Sequence, residues 1–68
     1  MGVILVPKIS LKAARVNAGL TQAESAERIG VSVSTIKNWE VGRSFPNQPM
    51  IEKICEVYGV SYDYIKFF

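Results

Sequence analysis

Four of the five glycines, Gly19, Gly30, Gly42 and Gly59, punctuate this 68-residue chain at short intervals, and helix-capping side chains stand next to them. Such punctuation admits only short helices. Ser10 caps a helix from about Leu11 to Ala18, with Leu11, Ala14 and Ala18 as its apolar stripe and Gly19 as its stop. Thr21-Gln22-Ala23-Glu24 is a capping box, in which the threonine hydroxyl and the glutamate carboxylate each satisfy an orphan backbone N–H. The helix it opens turns Ala26 and Ile29 inward and ends at Gly30. Ser32 caps the next helix, and Val31 with Ile36 forms a hydrophobic staple across its start. That helix runs through Trp39 to Gly42.

Residues Arg43 to Gln48, with Pro46, read as a loop, and Pro49 suits the first turn of a fourth helix, where its missing N–H is no loss. Met50, Ile51, Ile54, Cys55 and Tyr58 recur at helical spacing up to Gly59. Val60 and Ser61 then repeat the staple and cap, with Ile65 opposite Val60, and predict a short fifth helix reaching Phe67 or Phe68. The expected class is all-α, with five short helices in one domain over 1–68. The apolar arm of residues 1–8 is the one segment read as able to be extended, and 49–68 carry helices four and five.

Size and composition narrow the function. Sixty-eight residues lie near the lower limit for folding on a core alone, and 49% hydrophobic content with 21% charged residues compensates. The single cysteine, Cys55, excludes a disulfide framework and points to a reducing compartment. It falls on the fourth helix's apolar stripe, where a small core residue is expected. Without histidine, and with six scattered acidic residues, no metal, cofactor or catalytic cluster is predicted. A non-enzymatic protein follows. The run Met1 to Pro7 is too short for a membrane span and lacks a basic leader, so a cytoplasmic protein is expected. Net charge is only +2, but residues 1–43 hold six basic against three acidic side chains, and 44–68 hold two against three. The first part suits a polyanion and the second a scaffold or partner surface.

Residues 21–42 carry the functional signal: two capped helices joined by the tight turn Gly30-Val31-Ser32, the helix-turn-helix spacing. Projected at about 100° per residue, the second of these helices puts Ile36 and Trp39 on an inner arc with Ser32 and Thr35. Ser34, Lys37, Asn38 and Val41 fall on the outer arc, with Val33 at its edge. Trp39 is thereby assigned to the core rather than to stacking on a base. An amphipathic helix alone is common, and a merely solvated outer face competes with a base-reading one. The turn spacing and the neighbouring motifs favour the second.

Together these residues resemble the lambda-repressor-like regulators, the Cro and repressor family of helix-turn-helix proteins. The resemblance covers Leu11 to Ile65 without gaps, through Leu11, Arg15, Gly19-Leu20-Thr21-Gln22, Ala26, Gly30-Val31-Ser32, Ile36, Trp39-Glu40, Gly42-Arg43, Pro46, Ile51, Ile54 and Gly59-Val60-Ser61. It implies a regulator that binds double-stranded DNA, with the second helix of the motif in the major groove. Val33, Ser34, Lys37 and Asn38 take the base-reading positions. Gln22 and Ser32 at helix starts, and Arg43 and Ser44 beyond Gly42, face phosphates, the loop also through its backbone. Arg15 is expected to pair with Glu40 and tie the first helix to the third. Breaking that pair costs roughly 3–5 kcal/mol if it is buried and under ~1 on the surface.

Two departures stand out. Ser25 occupies a position where the family usually has a large apolar residue, so the second helix loses a staple to Leu20, which either weakens that helix or leaves room for a neighbouring side chain, for instance from the N-terminal run. Val33 and Ser34 replace long base-reading side chains, which shifts readout toward methyl contacts, Lys37 and DNA shape. Of Tyr58, Tyr62, Tyr64, Phe67 and Phe68, some must fill the core. The rest are expected to pair two protomers through helix five and the aromatic C-terminus, with the N-terminal run as a further candidate, so that a homodimer meets a palindromic operator. With no sensor domain in view, no small-molecule ligand is expected. The competing class is an antitoxin-like or adaptor module on the same fold, in which Lys37 and Asn38 are dispensable.

Overall fold

The computed structural model describes residues 8–67. Over them the chain forms four α-helices: α1 (Leu11–Asn17), α2 (Gln22–Ile29), α3 (Val33–Val41) and α4 (Gln48–Tyr58). Two two-residue strands, β1 (Ile9–Ser10) and β2 (Ile65–Lys66), flank the bundle, and a 3-10 turn over Tyr62–Tyr64 leads into the second. Apart from Lys8, the N-terminal arm lies outside the described residues, as does Phe68. No helix among the described residues is long and apolar enough to cross a membrane.

Side-chain caps start every α-helix. Ser10 accepts the Ala13 N–H at 3.0 Å, Ser32 the Thr35 N–H at 3.1 Å, and Thr21 with Glu24 closes a complete capping box at 3.1 and 2.9 Å. The fourth cap is Asn47, whose carbonyl oxygen accepts the Met50 N–H at 3.0 Å, so α4 begins at Gln48 with Pro49 inside its first turn. Gln48, expected in the loop, is thus the first residue of the helix. The helix ends share one device: the residue after the glycine donates its N–H back across the last turn. These bonds run from Leu20 to Arg15, Val31 to Ala26, Arg43 to Asn38 and Val60 to Cys55, at 2.9–3.2 Å. At Gly30 the backbone is left-handed, with φ +89°, which turns the chain sharply enough for Ser32 to cap α3 two residues later.

In three of these stops the residue after the glycine is apolar and packs on the core: Leu20 is buried, and Val31 and Val60 are half-buried against it. The fourth, after α3, has exposed Arg43 instead. The core itself combines Leu11 and Ala14 of α1, Ala26 and Ile29 of α2, Ile36 and Trp39 of α3, and Ile54 and Tyr58 of α4, closed by Ile65 and Phe67.

One expectation is corrected, and the room beside Ser25 is accounted for. The fifth helix does not form. Ser61 makes no side-chain cap, and after one 3-10 turn the chain extends so that Ile65 pairs with Ile9 and Lys66 with Ser10 in parallel register. A tail rich in β-branched and aromatic residues favours extended backbone, and the pairing buries Ile65 and Phe67. Parallel strands need a long crossover, which here is the whole helical bundle. The room left by Ser25 is occupied by a side chain of α4, and the N-terminal run named for it lies outside the described residues. Ser25 is fully buried and shares a short hydrogen bond with the hydroxyl of buried Tyr58, so the small residue in α2 and the tyrosine in α4 form one unit.

Two outcomes follow in equilibrium unfolding. Tyr58→Phe strands the Ser25 hydroxyl without a partner and costs about 1–3 kcal/mol, most of which Ser25→Ala restores when combined with it. An unchanged denaturation midpoint in Tyr58→Phe would contradict this. The Thr21 backbone N–H, and then its hydroxyl, hold the Glu24 carboxyl below the usual carboxylate range. Its charge therefore stabilises the fold above the unfolded value, roughly pH 4.3, and that contribution is lost as pH falls through the lower folded value. Wild type should melt above Glu24→Gln at pH 7 and the two should converge in acid; a gap independent of pH is the contrary result.

Candidate nucleic-acid interface

The site is assembled on α3 by what lies behind it. Ile36 and Trp39 are buried against the other helices, which fixes the rotation of α3 about its axis. Ser34 and Lys37 then stand exposed on the opposite side, Val33 sits at the margin with 36% exposure, and Asn38 is half-buried. Val41 is more open still, at 69%. The outward surface of α3 is thus a short strip of apolar, hydroxyl, ammonium and amide groups, without an acidic side chain.

Glu40, the acidic residue of α3, is withdrawn from this strip. Its side chain is 4% exposed and Arg15 beside it 9%, with Arg15 Nε donating to Glu40 Oε2 at 2.6 Å and Nη2 to Oε1 at 3.3 Å. A third donor, Nη1, reaches the Leu20 carbonyl at 2.8 Å. Burial lowers the affinity of a guanidinium for its proton, but the hydrogen bond to Glu40 outweighs it and raises the Arg15 pKa above its ordinary value. One arginine thereby joins α1, the turn before α2, and α3. Of the two cases left open in the sequence, the buried one holds.

Glu40 also accepts from Gln22, whose Nε2 lies 3.1 Å from Oε1. Nothing in the spacing of the sequence signals this contact. Gln22 is the first residue of α2 and half-buried, so its amide is anchored at one side rather than free. Ser32 is likewise engaged: besides capping α3, its hydroxyl lies 2.9 Å from that of Thr35.

Beyond α3, Arg43 and Ser44 are exposed, but their backbone does not face outward as the sequence reading had it. The N–H groups of Arg43 and Ser44 both donate to the Asn38 carbonyl, at 2.9 and 3.4 Å, and Gly42 donates to Trp39 at 3.3 Å. Helix termination consumes these donors, and contact to an outside anion falls to the two side chains. Cys55 is half-buried in α4 away from this strip, and burial pushes its thiol pKa up, the environment of an inert core thiol.

Residues 11–65, which contain these two capped helices and the turn Gly30-Val31-Ser32 between them, match the sequence pattern of the helix-turn-helix family. The chain belongs to that family. Among curated relatives, it is 36% identical over 55 residues to the HTH-type transcriptional regulator ImmR of Bacillus subtilis (strain 168), covering 81% of this chain and 43% of that protein. It is 34% identical over 53 residues to the HTH-type transcriptional activator BcrR of Enterococcus faecalis, covering 78% of this chain and 26% of that one. The chain therefore spans under half the length of either relative.

Within a helix-turn-helix domain, a buried ion pair between the first and third helices bears on the whole motif. Glu40→Ala leaves Arg15 charged and buried without its partner and should cost roughly 3–5 kcal/mol in urea unfolding. A loss under ~1 kcal/mol, the figure for an exposed pair, would contradict the burial described here.

Proposed function

We propose that this chain binds double-stranded DNA sequence-specifically and acts in transcriptional regulation, with the outward face of α3 in the major groove. The observation that carries this is the division of α3: Ile36, Trp39 and the Glu40 carboxylate are turned inward, while Val33, Ser34 and Lys37 stand out with Asn38 beside them. A groove about 12 Å wide admits such a helix. In this reading Val33 packs on a thymine methyl, Ser34 donates or accepts, Asn38 pairs with adenine, and Lys37 reaches a base or a phosphate. Gln22, Ser32, Arg43 and Ser44 meet the backbone, the last two through side chains alone. The names of the two relatives, a transcriptional regulator and a transcriptional activator, support the same class.

One copy presents one reading helix, so two copies related by a two-fold axis would read a palindromic operator. The surface for that contact differs from a helix-five dimer: Tyr58 and Phe67 are in the core, while Tyr62 and Tyr64 are 52% and 44% exposed beside β2. Tyr62 stacks on Phe67 with ring centroids 5.7 Å apart, which holds it in place at the surface.

Selection of bound sequences from random duplexes, followed by titration, tests the proposal. Lys37→Ala and Asn38→Ala should each weaken binding to the selected duplex, Asn38→Ala by about 1–3 kcal/mol with relaxed preference at one base position. Arg43→Ala should weaken all duplexes alike and reduce the salt slope by about one. Binding unchanged by the α3 substitutions would move recognition elsewhere. Sedimentation should find two copies per selected duplex, and a single bound copy removes the two-fold arrangement.

A further inference from the structure

On the DNA-binding reading above, we infer that Glu40 is a positioning residue for Gln22, and that buried Arg15 acts on DNA affinity through it. The Gln22 amide carries two N–H groups and one carbonyl, and only the N–H side is complementary to a phosphate. A free glutamine presents either edge and turns about three side-chain bonds. Here Nε2 donates one proton to Glu40 Oε1 at 3.1 Å, and an acceptor-only carboxylate cannot receive the amide's carbonyl instead. The nitrogen edge is therefore the one held at the α2–α3 junction, and the second N–H remains for an anion at the start of α2.

A carboxylate so near a phosphate contact would ordinarily oppose it. Arg15 removes that objection by placing two guanidinium donors on Glu40, both oxygens included, with side-chain exposures of 9% and 4%. Glu40 thus serves as an acceptor for Gln22 while its charge is compensated from behind. Fixing the amide before binding spares the entropy of ordering it on the duplex, an advantage of up to roughly tenfold in affinity.

The test is a double-mutant cycle on a duplex selected from a random pool, with folding of each variant checked by thermal melting, together with NMR order parameters of side-chain amides in the unsubstituted protein. Gln22→Ala should weaken binding roughly tenfold. Glu40→Gln should weaken it several-fold in the parent but leave it unchanged in the Gln22→Ala background, a dependence that a merely structural role would not give. Equal losses in both backgrounds overturn the inference while leaving DNA binding intact. Should Glu40→Gln fail to fold, the order parameters decide: the Gln22 amide must be more rigid than that of exposed Gln48, and equal mobility overturns the inference. A protein that binds no duplex at low salt overturns the DNA-binding reading as well.

Discussion

The contact between Arg15 and Glu40 carries the geometry of the motif. Two charges withdrawn from water are tolerable only when paired and fully hydrogen-bonded. Here the guanidinium spends three donors on Glu40 and the Leu20 carbonyl, and the carboxylate takes a further bond from Gln22. Each partner belongs to a different piece of the chain: α1, the turn after it, the start of α2, and the last turn of α3. Few other placements of α3 satisfy all four. An apolar contact in the same place would tolerate sliding; a forked, directional one holds the helix in a single register.

Around that constraint the fold is assembled from a repeated local device. A left-handed glycine ends each of the four helices, and in three cases an apolar residue follows and packs inward. Between α1 and α2, and again between α2 and α3, stop and cap lie two residues apart, in Gly19-Leu20-Thr21 and Gly30-Val31-Ser32. After α3 the apolar residue is replaced by Arg43, which places a cation at the surface beside the outward strip of that helix. The polarity of one post-glycine position thus decides whether the chain returns to the core or offers a charge.

Much of this is legible in the sequence because it is local. The caps at Ser10, Thr21 and Ser32, the glycine stops and the inner arc of Ile36 and Trp39 depend on residues a few positions apart, and the structure has them where spacing puts them. Non-local choices were harder to read. Tyr58 fills the space left by Ser25 from 33 residues away, and a two-residue strand pair has no periodicity to reveal it, so the tail read as a helix. Pro49 marks the first turn of α4 without fixing its cap, which is Asn47. The bond from Gln22 to Glu40 spans 18 residues between two side chains that each have a sufficient local reading. The loss of outward N–H groups at Arg43 and Ser44 follows from helix termination, visible only once the Asn38 carbonyl is placed.

The central claim is that the inward anchoring of α3 leaves one specific surface for a duplex. Backbone-amide NMR of the domain, titrated with its selected duplex, tests it most directly. The account predicts the largest shifts over Val33–Asn38, with further shifts at Thr21 and Gln22 and at Arg43 and Ser44, while the outer face of α4 around Glu52, Lys53 and Glu56 stays unperturbed. Perturbation centred on α4, with Val33–Asn38 unchanged, would contradict it.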